Sequence, residues 1–228
     1  MEPDLAERLR HLICARHSTR APFDPRWHVG SHELDAIVDA ARWSPTPHNM
    51  QNFELIVVDD PARLSELGSL HAPISPEFVR ETERLLARSQ EELELRQTGL
   101  LAAQFAGLGS SRPLAELIAG APMLIVVVYD TSQRAPASKH DVLGMIGLGC
   151  VLENMWLTAQ ALHLDAQVVS SFSGESVEPS VKKLLAIPDL WRIAYVLRIG
   201  HAITATSAHR VRRDPPRFVH RDHFGNHS

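Results

Sequence analysis

Residues 142–162, VLGMIGLGCVLENMWLTAQAL, are the stretch that decides how this chain can fold. The stretch is apolar nearly all round, which predicts a helix buried in a core or in a subunit interface. Glu153, Asn154 and Gln160 interrupt it, and polar groups of this kind are costly at the centre of a bilayer. We therefore expect a buried helix over residues 141–162, and neither a membrane span nor a membrane partner.

Apolar runs on both sides of this helix predict a sheet that packs against it. Residues 123–128 form an uninterrupted apolar run, which is typical of a central strand covered on both faces. Further strands are expected at residues 53–58, 166–169 and 193–199, and helices at residues 4–15, after Ser31 as the capping residue, after Pro61, and at 177–186. This order predicts an α+β fold, an α/β sandwich with helices on a sheet of four or five strands.

The length of 228 residues fits a single domain over residues 1–228 with two appended segments. The first is a helical excursion at about residues 72–120, in which a solvated helix is expected from Ser75 to about Gln97. Whether this excursion is a lid or a plain surface insertion stays open. The second is a tail at about residues 201–228, with a charge of +3 on a body of −7. Such a tail is expected to meet an anionic ligand, the body of the protein or another subunit.

Composition excludes several classes of function. The net charge of −4 argues against a nucleic-acid binder. Cys14 and Cys150 do not make a disulfide scaffold, and residues 1–10 lack the apolar core of a secretory signal, so we expect a cytoplasmic protein. Histidines are numerous, and His220 and His223 have a ligand-like spacing, but no cysteine or acidic partner lies at a recognised distance from them, so no metal is expected. No nucleophile elbow or phosphate-binding glycine loop occurs, which favours a cofactor that brings its own chemistry.

Three polar clusters interrupt these elements. In residues 16–20, Arg16 and Arg20 with two hydroxyls offer the donors that a phosphate monoester needs, although a solvated helix end is the alternative. In residues 44–52, Asn49 and Gln51 could match the mixed edge of a heterocyclic ring, although an ordinary turn-rich loop is the alternative. The third cluster, Arg210, Arg212 and Arg213, is by itself typical of a solvated basic tail.

Taken in this order, the clusters resemble the FMN-dependent nitroreductase family. Arg16-His17-Ser18-Thr19-Arg20 is similar to the family's early Arg-Arg/His-Ser-x-Arg, and residues 44–53 are similar to its Ser-Pro-Ser-x-x-Asn-x-Gln-Pro-Trp. The long apolar helix, Leu184-Leu185-Ala186-Ile187-Pro188 and the C-terminal arginines also match. The resemblance covers residues 8–70 and 120–225. It implies a mixed central sheet flanked by helices, and a homodimer joined through the long helix with FMN at the interface.

The resemblance also implies roles for particular residues. Contacts to FMN would come from Arg16, His17, Ser18 and Arg20, from Pro45, Asn49 and Gln51, from Val169, Ser170 and Ser171, and from Arg212 and Arg213. No side chain is implied as a catalytic group, since the flavin carries the chemistry. NAD(P)H would be the co-substrate, and a nitroaromatic, a quinone or a related small acceptor would be reduced in ping-pong order.

The sequence departs from the family pattern in two ways that leave the acceptor open. Asn52-Phe53 replaces the usual Pro-Trp, and neither of the first two motifs contains a lysine. A dehydrogenase or an ene-reductase is therefore an alternative within the family. A flavin-binding storage or sensing protein without turnover, and a helical interaction module with a basic docking tail, are alternatives of other classes.

Overall fold

The structure is a computed structural model that describes residues 4–74, 87–97, 111–135, 139–204 and 210–226. The chain divides into two compact units, Met1–Ala72 with Arg112–Thr206, and Pro73–Ser111 with Ser207–Ser228. Most of the excursion and most of the tail thus fall together in the second unit, while residues 112–120 and 201–206 belong to the first. The expectation of one domain over residues 1–228 stays a prediction. The expected start of the excursion helix at Ser75 lies outside the described residues.

Seven helices and six strands occur in the described part of the chain, and most of them were expected from the sequence. In chain order they are α1 Leu5–Ala15, α2 Ser31–Arg42, β1 Phe53–Val58, α3 Pro61–Gly68, β2 His71–Pro73, α4 Gln90–Gln97, β3 Ser111–Pro113, α5 Ala115–Ile118, β4 Met123–Asp130, α6 Val142–Ala161, β5 Asp165–Val169, α7 Glu178–Leu185 and β6 Trp191–Gly200. Short 3₁₀ turns lie at Pro47–Asn49, Lys139–Asp141, Ser170–Ser173 and Pro215–Arg217.

Strands β1, β4, β6 and β5, in this order, form the main sheet, while β2 and β3 form a separate two-stranded sheet. This arrangement confirms the α+β class. All three pairings in the main sheet are antiparallel. The reason is topological. Helix α6 connects β4 to β5, which run in the same direction, but β6 lies between them and pairs antiparallel with both.

The two faces of the main sheet are covered by different helices. Leu124, Val126 and Val128 lie in one apolar cluster, which includes buried residues of α3, α5 and α7. Ile125 and Val127 lie in the other, with buried residues of α2 and α6. Every residue of β4 from Met123 to Val128 is at most 3% exposed, as expected for a central strand.

Helix α6 occupies the position that the opening stretch predicts, from Val142 to Ala161. By length and mean hydropathy, 1.5, it is also the one described helix that could cross a membrane, which is weak evidence because core helices of soluble proteins pass the same test. It packs against α2 and the sheet through Val151, Met155 and Ala159, which are fully buried. Near its start, Val142, Met145 and Ile146 are 54, 44 and 56% exposed.

Two expectations about helices are wrong, the cap of α2 and the unbroken course of the excursion helix. Ser31 is the first residue of α2 and not its cap, because Glu33 Oε2 accepts the backbone N–H of Gly30 at 2.7 Å. The excursion helix does not continue unbroken to Gln97, since residues 87–89 are not helical and α4 begins at Gln90. There the Ser89 hydroxyl accepts the backbone N–H of Glu92 at 3.1 Å, which starts a new helix.

Candidate active site

Residues 16–20, which we call the arginine loop, begin where α1 ends. Arg16 Nε lies 3.2 Å from Glu153 Oε1, and its guanidinium stacks 4.5 Å from the ring centre of Trp156. Among the described residues, the buried Arg16 Nε has no aligned hydrogen-bond acceptor. Glu153 and Trp156 both belong to α6, so the long helix holds the first residue of this loop.

Thr19 anchors the other half of the arginine loop to the start of β5. Its hydroxyl donates to Asp165 Oδ1 at 2.8 Å, and its backbone N–H donates to Ala166 O at 3.0 Å. Thr19 is 1% exposed, whereas Ser18 is half-buried and Arg20 is exposed. His17 Nδ1 lies 3.1 Å from Ala15 O, so this ring faces the end of α1. Threonine thus points inward and its neighbours point outward.

Arg198 in β6 contacts the backbone of the same loop. It was not predicted as a functional residue. It is 1% exposed and donates to three backbone carbonyls, Thr19 O at 2.9 Å, Ala21 O at 3.1 Å and Ile118 O at 2.9 Å. Its guanidinium also lies 4.4 Å from the ring centre of Phe23. Its buried Nε has no acceptor among the described residues.

Arg20 and Arg198 place positive charge at the arginine loop without a described acidic partner. Partial desolvation of the guanidinium lowers the pKa of Arg20. Burial, and secondly the charge of Arg20, lower the pKa of Arg198 to about 10, which leaves this guanidinium charged at neutral pH. Arg20 beside the half-buried Ser18 hydroxyl can donate to an anion such as a phosphate monoester, and the buried charge of Arg198 adds to the positive potential at this loop.

Residues 44–52 form a second polar loop with an unusual backbone. His48, Asn49 and Gln51 have φ values of 50, 55 and 47°, in the left-handed region that few residues other than glycine adopt. Such strain costs about 1–3 kcal/mol per residue and is concentrated at functional sites. The Thr46 hydroxyl accepts the backbone N–H of Gln51 at 3.1 Å and closes the loop, while the Gln51 side chain stays exposed.

Helix α6 holds this loop as well. Asn154 Nδ2 donates to Ser44 Oγ at 2.9 Å and to Ala40 O at 3.2 Å, which links it to the end of α2. At Gly147 a Cβ atom would lie only 3.2 Å from Pro47 Cδ and 3.5 Å from Pro45 O. Gly147 therefore allows a close approach of the loop. The consecutive residues Glu153 and Asn154 serve the arginine loop and the second polar loop respectively.

The third expected segment follows β5. Val169 is 4% exposed and ends the strand, and a 3₁₀ turn begins at Ser170. Phe172 is fully buried and fixes this turn to the core, while Ser170 is exposed and Ser171 half-buried. The Ser173 hydroxyl donates to Ser170 O at 2.8 Å. The turn thus presents a serine at the surface on a rigid base.

Arg212 and Arg213 belong to the second unit, where the tail packs on α4. The Arg212 guanidinium donates to Val211 O, and that of Arg213 lies 5.4 Å from the ring centre of Phe218. Their contact with a cofactor stays a prediction. The acidic partner that the tail was expected to need is α4, since Arg217 pairs with Glu94 and lies 3.9 Å from Glu91.

Within one chain, the two polar loops attach to opposite ends of the main sheet. Thr19 bonds Ala166, which lies level with Ile199. Asn52 O accepts from Asp130 N at the end of the sheet where β1 begins. A six-residue strand such as β1 spans about 20 Å at about 3.3 Å per residue. The backbone anchors of the two loops are therefore far apart along the strands.

A family model for the nitroreductase family matches residues 13–201, most of the chain. The chain belongs to the nitroreductase family. No curated protein matches the sequence significantly.

Solved nitroreductases share this fold at low sequence identity. The nitroreductase with bound FMN from Bacteroides fragilis is 19% identical, with a TM-score of 0.59, and the match covers 90% of this chain and 94% of that one. The nitroreductase with bound FMN from Desulfitobacterium hafniense is 20% identical, with a TM-score of 0.61 and coverage of 96% and 99%. An FMN-dependent nitroreductase from Clostridium difficile is 17% identical, with a TM-score of 0.59 and coverage of 93% and 98%.

The residues of this chain fit a phosphate-bearing flavin. The arginine loop carries Arg16, whose buried Nε has no aligned hydrogen-bond acceptor among the described residues, and Arg20, which has no described acidic partner. The spacing of Arg16 and Arg20 predicts their role, which stays a prediction, whereas Arg198 and the support from Asp165 were not predicted. The sequence offered one indication of Arg198, a single arginine within the apolar run of residues 193–199. Only the tertiary structure shows to which carbonyls it donates.

Proposed function

We propose that the protein is an FMN-dependent oxidoreductase that uses NAD(P)H to reduce nitroaromatic, quinone or related small acceptors. The observation that carries this proposal is the arginine loop of a nitroreductase-family chain, where Arg20 and Arg198 supply positive charge with no described acidic partner. When bound, FMN would supply the hydride chemistry between NAD(P)H and the acceptor, in the ping-pong order that the resemblance implies.

The residues of the chain bind and orient in this proposal. Arg20 and Ser18 hold the phosphate, and Arg16 joins them by exchanging its contact with Glu153. Asn49 and Gln51, exposed on a strained loop, offer amide donors and acceptors to the ring and the ribityl chain. His17, Pro45 and the segment of Val169, Ser170 and Ser171 complete the pocket wall. Arg212 and Arg213 add positive charge from the tail.

We further propose a homodimer in which each site takes residues from both chains. Two observations support it. The arginine loop and residues 44–52 are anchored at opposite ends of one chain's sheet. Apolar side chains also lie uncovered on α1 and α6, with Leu5, Leu9 and Ile13 of α1 77, 52 and 46% exposed. Burying such a surface against a second copy is favourable. We also propose a cytoplasmic location, since two cysteines in 228 residues do not make a disulfide scaffold.

The absorption spectrum of the purified protein before and after addition of NAD(P)H tests the function. We expect a yellow protein that NAD(P)H bleaches and a nitroaromatic reoxidises. A yellow protein that NAD(P)H leaves unchanged would support a storage or sensing role instead. A colourless protein that takes up no added FMN would contradict both.

The phosphate assignment has its own test. The double variant Arg16→Ala with Arg20→Ala should lose bound FMN, because each lost hydrogen bond to a charged group costs about 1.5–3 kcal/mol. The matched control is Arg8→Ala with Arg10→Ala on α1, which removes the same charge outside the loop. Unchanged FMN occupancy in the loop variant, measured by absorption per chain after gel filtration, would refute the assignment.

A further inference from the structure

Arg198 is a buried cation in an apolar strand, and its position needs a reason. Its neighbours Leu197 and Ile199 are fully buried, and Arg198 itself is 1% exposed. A charge in such surroundings is costly unless polar groups surround it. The described groups around Arg198 are carbonyls and a phenyl ring, and no described carboxylate contacts it. A hydrophobic residue at position 198 would lower the free energy of burial, so we expect the hydrogen-bond donors of the guanidinium to have a specific role.

The partners of Arg198 show what the task is. Its Nη2 donates to Thr19 O and to Ala21 O, the carbonyls on either side of Arg20. Its Nη1 donates to Ile118 O at the end of α5, and Phe23 packs on its face. One guanidinium thereby fixes the backbone on both sides of Arg20 against the sheet. The hydroxyl of Thr19 is held separately by Asp165.

We propose that Arg198 is a positioning residue that sets the arginine loop so that Arg20 and Ser18 face the phosphate of FMN. The inference rests on the proposed function. Arg198 acts through the backbone of residues 19–21 and does not itself touch the flavin. The two guanidinium groups lie close enough for the charge of Arg20 to lower the pKa of Arg198. Arg198 therefore also adds to the positive potential that attracts an anion to the loop.

A residue that merely stabilised the fold would behave differently from a positioning residue. Loss of a structural residue lowers stability and weakens every ligand to the same extent. Loss of a residue that sets the phosphate contacts weakens the binding of FMN. The binding of riboflavin, which lacks the phosphate, stays nearly unchanged. The ratio of the two dissociation constants therefore separates the two roles.

The experiment uses the full chain and measures the Kd of FMN and of riboflavin for the apoprotein by quenching of flavin fluorescence. Arg198→Met removes the fork and the charge while keeping an unbranched side chain. The matched control is Arg192→Met, in the same strand and with the same change of charge, because Arg192 contacts Glu178 and not the arginine loop. Arg198→Lys keeps the charge without the fork and provides a second variant if Arg198→Met does not fold.

We expect Arg198→Met to raise the Kd of FMN roughly tenfold or more, because a displaced Arg20 would lose one charge-assisted hydrogen bond to the phosphate. The Kd of riboflavin should change by less than about twofold. Arg198→Lys should change the ratio in the same direction, and Arg192→Met should leave it at the wild-type value. Equal weakening of both flavins, or a ratio in Arg198→Lys equal to that of the wild type, would overturn the inference. A wild-type protein that binds neither flavin would instead refute the proposed function.

Discussion

Charged side chains in the core carry specific backbone contacts in this protein. Arg198 bonds three carbonyls, and Glu178 at the start of α7 is its acidic counterpart. Glu178 is 4% exposed, and its carboxylate accepts from Arg192 Nε and from the backbone N–H of Ile193, both at 2.7 Å. It ties α7 to β6. At the scale of the residue, a buried charge marks a place where two elements must be joined.

Neutralising Glu178 should destabilise the protein. Glu178→Gln keeps the shape but weakens two hydrogen bonds to a charged acceptor, and we expect a loss of about 1.5–3 kcal/mol in the free energy of unfolding. Urea denaturation measures the loss as a lower midpoint at constant slope. The control Glu54→Gln alters an exposed carboxylate on β1 and should stay within about 0.5 kcal/mol of the wild type. A loss no larger than that of the control would contradict the tie between α7 and β6.

Tyr195 should make the protein sensitive to alkaline pH. Burial raises its pKa above the ordinary value of 10, and its hydroxyl donates to Leu148 O at 2.9 Å. Because the folded state favours the neutral phenol, its contribution to stability is fully present below pH 10 and is lost as the pH rises further. Tyr195→Phe should cost about 1 kcal/mol at pH 7 through the lost hydrogen bond. The difference between variant and wild type should shrink above pH 10, as urea midpoints at pH 7, 9 and 11 would show. A constant difference across this range would contradict the assignment.

At the scale of the element, α6 is the organising helix of the first unit. Glu153 and Trp156 hold Arg16, Asn154 and Gly147 hold residues 44–52, and the apolar face builds the core. In the second unit, α4 has the corresponding role for the tail. Gln90 Nε2 donates to Asp214 Oδ2 at 2.8 Å, and Asp214 N donates to Gln90 Oε1 at 2.9 Å.

The tail should detach from α4 when its polar contacts are removed. Gln90→Ala combined with Arg217→Ala deletes the reciprocal amide contact and the ion pair with Glu94. We expect amide hydrogens at residues 211–219 to exchange several-fold faster, measured by mass spectrometry. The free energy of unfolding of the whole protein should change by less than about 1 kcal/mol, because exposed ion pairs contribute little. The control Arg221→Ala leaves both contacts intact, and its amide hydrogens should exchange at the wild-type rate. Exchange at the wild-type rate in the double variant would show that other groups hold the tail.

At the scale of the whole molecule, the uncovered apolar surface is the feature that a single chain does not explain. It includes Leu9 and Ile13 on α1 and Val142, Met145 and Ile146 on α6. The same two helices hold Arg16, since it follows α1 and contacts Glu153 of α6. Covering this surface by a second copy would therefore also bring a neighbour close to the arginine loop.

Disrupting this surface should separate the dimer and release FMN together. Leu9→Asp combined with Ile13→Asp places two charges on the exposed face of α1. We expect light scattering to show the chain mass of 25.3 kDa for the variant and twice that mass for the wild type. FMN occupancy should fall with the dimer. The control Leu190→Asp, at an apolar side chain that is 64% exposed near β6, should stay dimeric. A wild-type monomer that holds FMN would refute the shared site.

Local sequence was sufficient for the elements and the class of fold. The apolar runs at β1 and β4, the 20 residues of α6, and the family resemblance of residues 16–20 and 44–53 all depend on neighbours along the chain. The start of α2 was missed because Glu33 reaches back to Gly30. The order of strands within the sheet was not predicted, because the insertion of β6 between β4 and β5 is a long-range arrangement that periodicity does not encode.

The sequence by itself thus determined the family and most helices and strands in their order, although not β2 and β3, and it predicted the two polar loops as candidate sites. Only the tertiary structure decided three contacts: Arg198 bonds the backbone of the arginine loop, Glu153 lies beside Arg16, and Glu94 of α4 pairs with Arg217 of the tail. The physical reason is the range of the interactions. Helix and strand patterns arise between residues a few positions apart, whereas a guanidinium meets Thr19 from position 198 only after the sheet has brought the two together.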